Sequence, residues 1–130
     1  MKLMILMSLV FSLNVFAKRV APPKVNPVNI GHLEFSTTTE KILCENKKDI
    51  CGMTAFLIST DTMAKSAIWK TQLYIKMFKK NEETDVQEIY PQSLILNVDS
   101  NLQLKDEKGT EYLVEAKSGK FVKPLKTVIY

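Results

Sequence analysis

One histidine, one tryptophan, two cysteines and four glycines are all that this 130-residue chain carries of each, and every scarcity closes off a class of chemistry. Four scattered glycines cannot build a loop that cradles phosphates. A zinc site needs three or four Cys or His ligands, and His32 is the only histidine available to Cys44 and Cys51. A Ser-His-Asp hydrolase would have to recruit that same His32, yet no serine stands in a GxSxG nucleophile elbow. A surplus of one charge is also missing. Lys and Arg number 18 against 14 Asp and Glu, a field too weak to imply a nucleic-acid partner. No cofactor motif is present, and no catalytic set or metal site can be named.

What is there begins with a targeting segment. Lys2 precedes the apolar run of residues 3–16, then Val15-Phe16-Ala17 places small-to-medium residues before the charged Lys18 and Arg19. Charged start, apolar middle and small-residue end are the pattern of a cleavable signal peptide over residues 1–17. The run is shorter than the about 20 residues a membrane-spanning helix needs, and Pro22-Pro23 blocks its extension. The expected location is therefore periplasmic or extracellular, with no stable membrane span after cleavage. Removal of Lys2 with the signal leaves 17 basic and 14 acidic side chains. In an oxidising compartment Cys44 and Cys51, with six residues between them, are expected to form one structural disulfide. A redox pair would favour the two-residue CxxC spacing.

Residues 18–27 (KRVAPPKVNP) read as an extended, basic, proline-rich arm, and residues 28–130 as a single β-domain. Residues 28–36 suggest a first strand, with His32 and Glu34 on one face. Residues 51–60 are apolar on both faces, as for a strand covered on two sides. In residues 67–78, Trp69, Leu73, Ile75 and Met77 share one face, and Lys70, Gln72 and Lys76 the other. Thr84-Asp85-Val86-Gln87 has capping-box spacing and predicts a short helical turn over residues 85–90, stopped by Pro91. Leu94, Leu96 and Val98 alternate in a further strand, followed by Leu102 and Leu104, then by Tyr112 and Val114. Turn chemistry separates these strands at Asp99-Ser100-Asn101, Lys108-Gly109 and Ser118-Gly119, and Pro124 confines the last segment to an edge. The expected class is all-β: a small antiparallel sandwich, partial barrel or blade-like meander with one helical turn. An outer-membrane barrel, prompted by the terminal aromatic Tyr130, fails for want of the usual eight alternating strands.

Thr54-Ala55-Phe56-Leu57-Ile58 and Thr110-Glu111-Tyr112-Leu113-Val114 share a pattern, each followed by a polar turn and a strand. These units resemble blades of quinoprotein-type β-propellers: Ser118-Gly119-Lys120 fits the turn and Trp69 the tryptophan, although residues 61–66 lack the glycine. The chain also resembles small uncharacterised bacterial proteins. That likeness rests on Trp69, Asp85-Val86-Gln87-Glu88, Ser93-Leu94 and Glu107-Lys108-Gly109-Thr110-Glu111-Tyr112, within residues 54–122. It implies a compact blade-like fold and no activity. A whole propeller needs at least four blades, more than this length can supply.

Two functional readings follow. The first is a non-catalytic β-domain that binds an envelope protein, or serves as an accessory piece of an envelope assembly, through its arm and strand edges. Its candidate partner or ligand face is Trp69, Tyr74, Asp85, Gln87, Glu88 and Tyr90. The alternative is a calcium-dependent binder or hydrolase using Glu83, Asp85 and Glu88. Carboxylates in a first helical turn also favour the helix dipole without any ligand.

Overall fold

The computed structural model describes residues 21–122 and 125–130. The expected signal, the first three residues of the arm and Pro124 lie outside the described residues.

Two sheets share one core. The larger is built from β1 (Val28–Ile30), β2 (Leu33–Leu43), β3 (Ile50–Asp61), β4 (Ser66–Met77) and β8 (Val128–Ile129), in the order β1-β2-β3-β4-β8. The smaller holds β5 (Pro91–Leu96), β6 (Asn101–Asp106) and β7 (Glu111–Glu115) in sequence order. The larger sheet curls into a half-barrel and is mixed: β8 runs parallel to β4, while every other neighbour is antiparallel. The all-β class with one short helix is therefore observed; the one parallel pair departs from a purely antiparallel meander.

Alternation generates the core. Along β3, Met53, Ala55, Leu57 and Ser59 are buried on the inner face. Leu94, Leu102, Leu104, Tyr112 and Val114 answer from the smaller sheet, in one cluster with Phe35, Leu73, Tyr74 and Ile89. Side chains of period two from facing sheets interlock in this way across a sandwich.

Three local readings need correction. The expected strand over residues 28–36 is a hairpin: Ile30 pairs with Leu33 across a two-residue loop opened by Gly31 at φ +57°, a conformation such loops require and glycine permits. In β4 the ladder shifts where Ala55 faces Tyr74 and Phe56 faces Gln72, leaving Leu73 as the extra residue of a bulge. That shift turns Tyr74 to the inner face, with Leu73 buried beside it, while Met77 faces outward and is exposed. Strict alternation had placed Ile75 and Met77 inside. In β5 only Pro91 and Leu94 are buried; Leu96 is exposed, and Val98 stands in a turn and is fully exposed.

The weak repeat also divides on burial. The first copy lies in β3 and the second, from Glu111 on, in β7, but Leu57 is buried beside a half-buried Phe56 in the first, whereas Tyr112 is buried beside a half-buried Leu113 in the second. The two segments therefore present opposite faces to the core.

Helix α1 (Thr84–Gln87) is a single turn whose N-cap is Glu83, with no side-chain cap. The expected capping box does not form. Gln87 instead closes the preceding loop: its Oε1 accepts from the Lys79 N–H at 2.6 Å, and its Nε2 donates to the Lys79 carbonyl at 3.2 Å. A buried amide must satisfy donor and acceptor together, and the loop backbone offers both.

Candidate functional site

The two sheets meet along two seams. The first, between β4 with β8 and β7 with its following turn, is closed by side chains. The Trp69 indole N–H donates to the Ala116 carbonyl at 3.1 Å, and the Thr71 hydroxyl donates to the Gly119 carbonyl. Gly119, at φ +75°, lies so close under the indole that an added Cβ would stand 2.4 Å from Trp69 Cδ2. Only glycine fits there.

The same seam contains a buried carboxylate. Asp106 is fully buried, and its Oδ1 accepts the Lys108 and Thr110 backbone N–H groups at 2.8 and 3.1 Å. Its Oδ2 accepts the Tyr112 hydroxyl at 2.8 Å and the Tyr130 hydroxyl, which also lies 2.7 Å from the Thr110 hydroxyl. Tyr74 stacks on Tyr112 and meets Tyr130 edge-on, both at 5.7 Å between ring centroids. Burial pushes all three phenols above their ordinary range, and Asp106 adds to each shift. Four donors on one carboxylate remove the penalty of burying it. These groups tie β8 to the smaller sheet, and their hydrogen-bonding capacity is taken up within the fold.

The second seam, between β1 with β2 and β5, is different. β1 pairs with β2 only at Leu33, Glu34 and Phe35. From position 36 to 43, β2 is laddered to β3 on one side and has no backbone partner on the other among the described residues. The reason is local. Pro27, the residue before β1, has no N–H to continue the ladder, and Pro22 and Pro23 have none either. The arm therefore leaves the ladder at Val28. It follows β2 at a distance and bounds a groove of about 350 Å³ with Pro22, Pro23 and Val25. Thr37, Thr38 and Thr39 line the strand side, and Tyr90 with Pro91 completes the groove. Val25 also packs against the core. Among the described residues no hydrogen bond joins the arm, β1 or β2 to β5.

The predicted partner face is split between these places. Trp69 is half-buried in the closed seam, and Tyr74 is fully buried with its hydroxyl donating to the Ile89 carbonyl at 2.6 Å. Gln87 is buried in its loop. Tyr90 reaches the open groove, where its hydroxyl donates to Glu88. Asp85 stays half-exposed in α1. The acidic residues Glu83, Asp85 and Glu88 belong to no group of three or more potential ligands that could hold a metal ion among the described residues. The threonine edge of β2 was missed; the signal was Pro27 followed, ten residues on, by three consecutive threonines.

Cys44 and Cys51 form the expected disulfide, with Cα atoms 5.0 Å apart. It ties the far ends of β2 and β3 across a turn in which Asn46 Oδ1 accepts the Lys48 and Asp49 N–H groups. No helix among the described residues is long and apolar enough to cross a membrane.

Comparison with known proteins returns no match: no family model, curated protein or solved structure is similar to this chain at significance.

Proposed function

We propose that the chain is an exported, non-catalytic β-domain that binds a partner protein of the cell envelope, taking an extended segment of it onto the open edge of β2. The observation that carries this reading is the length of strand from position 36 to 43 that, among the described residues, is laddered on one side only. An edge of unpaired N–H and C=O groups is a template for an added strand. The adjoining groove supplies room for side chains on the inner side of that strand. Export rests on the signal pattern of residues 1–17 and is compatible with the disulfide.

Strand addition is tested by selecting a random peptide library on the purified full chain and mapping amide hydrogen exchange with the best peptide bound. Slowed exchange at positions 36–43 is the expected result. If no peptide is retained, or if protection falls on the β4 side instead, the reading is wrong.

A further inference from the structure

The open groove is not empty of protein; this chain's own arm lies along it, and the way it lies there describes the ligand. The inference rests on the strand-addition reading. The arm makes two kinds of contact with unequal success. Val25 packs against the core cluster at the seam, so one apolar side chain is accepted from this direction. The backbone beside it makes no hydrogen bond to β2, because three of the seven residues from 21 to 27 are prolines. The arm thus fills the side-chain position of an added strand without forming the ladder.

We propose that the arm is a resident competitor for the β2 edge, and that the partner is an extended peptide with a β-branched apolar residue in the place of Val25 and free N–H groups where the arm has proline. Such a segment keeps the one apolar contact the arm makes and adds the backbone bonds the arm cannot make. A proline-rich cover also keeps the bare edge from pairing indiscriminately. Partner and arm compete for one place, so displacement of the arm is part of binding.

The probe is a synthetic peptide copying residues 21–29 with threonine in place of Pro22, Pro23 and Pro27. Its affinity is measured by calorimetry for the full chain and for the Val25→Asp variant, whose arm carries a charge that the apolar seam rejects. The variant should bind the peptide about ten-fold or more tighter than the unaltered chain. The same peptide with its valine at position 25 changed to aspartate, or with its backbone N-methylated, should not bind. Equal affinity for both chains overturns the competitor role of the arm and leaves strand addition standing. Absence of binding to both overturns strand addition as well. Undiminished binding of the N-methylated peptide shows groove occupancy without a ladder and also rejects the proposal. The near-ultraviolet circular dichroism of the buried tyrosines verifies that the variant is folded; if it is not, Val25→Ser takes its place.

Discussion

The two seams of this molecule join the same pair of sheets by opposite means. On the β4 side an indole N–H, a threonine hydroxyl and a tyrosine-bound aspartate cross from one sheet to the other. On the β2 side the sheets are separated by a proline-bearing arm and a groove. The difference is one of hydrogen-bonding capacity. The polar groups named in the closed seam have partners in the fold, whereas the open edge keeps a row of backbone groups with no partner among the described residues. A closed seam contributes stability; an open one leaves capacity for a ligand.

The largest expected effect that would break this contrast is at Gly119. Gly119→Ala forces a side chain into a left-handed backbone position and into the Trp69 ring. Left-handed strain and overpacking together cost about 2–4 kcal/mol. Thermal unfolding should show a large fall in Tm, with indole fluorescence shifted as the ring is displaced. An unchanged Tm would mean that the closed seam is not tightly packed. Next comes the disulfide, which holds the far end of the open strand. Replacing Cys44 and Cys51 together by serine releases an eight-residue loop, worth about 2.5 kcal/mol by chain entropy. Hydrogen exchange should quicken first near positions 42–52 and leave β6 and β7 unaffected. Uniform acceleration would show that the two seams unfold as one unit.

Tyr130→Phe is a narrower cut in the closed seam. It removes one hydroxyl from Asp106 and from Thr110, and a hydrogen bond to a charged group is worth about 2 kcal/mol. The same cluster sets an alkaline limit. Tyr74, Tyr112 and Tyr130 all titrate above the ordinary phenol value of about 10 when folded. The unfolded chain therefore loses these protons first as pH rises. Their stabilisation is complete below about pH 10 and is lost above it as the unfolded phenols ionise. Denaturant midpoints measured from pH 8 upward should fall steeply past 10, with a shallower fall in Tyr130→Phe. A flat profile would mean that the phenols are accessible in the folded state.

How much of this was legible in the sequence depended on the range of the cause. Local signals read true: Lys108-Gly109 and Ser118-Gly119 are turns, Leu102, Leu104, Tyr112 and Val114 point inward, and Cys44 meets Cys51. Events that depend on a distant partner did not. The bulge at Leu73 is invisible to a count of alternate residues, because it exists only relative to β3. Asp106 reads as an ordinary residue before a turn, and nothing nearby announces that Tyr130, 24 positions away, will close on it. Gln87 has the spacing of a capping box, yet the Lys79 backbone competes for it and wins. For the candidate site, a proline-rich segment was legible in Pro22, Pro23 and Pro27, but the one edge read from a proline was that of the last segment, at Pro124. Which edge was open was not legible, since that required knowing that β1 is only three residues long.

The smallest expected effect lies midway between the seams, at Ser59. It pairs with Phe35 of β2 on one side and Trp69 of β4 on the other, and the two rings meet 5.9 Å apart. Two strands flanking a third stand almost 10 Å apart, so rings can touch across the middle strand only if its side chain is short. Ser59 meets that need, but its hydroxyl is buried and has no hydrogen-bond partner in the described structure. Size and polarity therefore make separate demands at one position. Ser59→Ala keeps the short side chain and removes the unpaired hydroxyl, so it should leave stability unchanged or raise it by up to about 1 kcal/mol. Ser59→Leu should separate the rings and lower Tm, an overpacking penalty of about 1–3 kcal/mol. Destabilisation by alanine of more than about 1 kcal/mol would show instead that the hydroxyl is satisfied, for example by a buried water linking the two seams. The mid-sheet contact would then be polar, and the contrast between a polar closed seam and an unpaired open one would have to be redrawn around it.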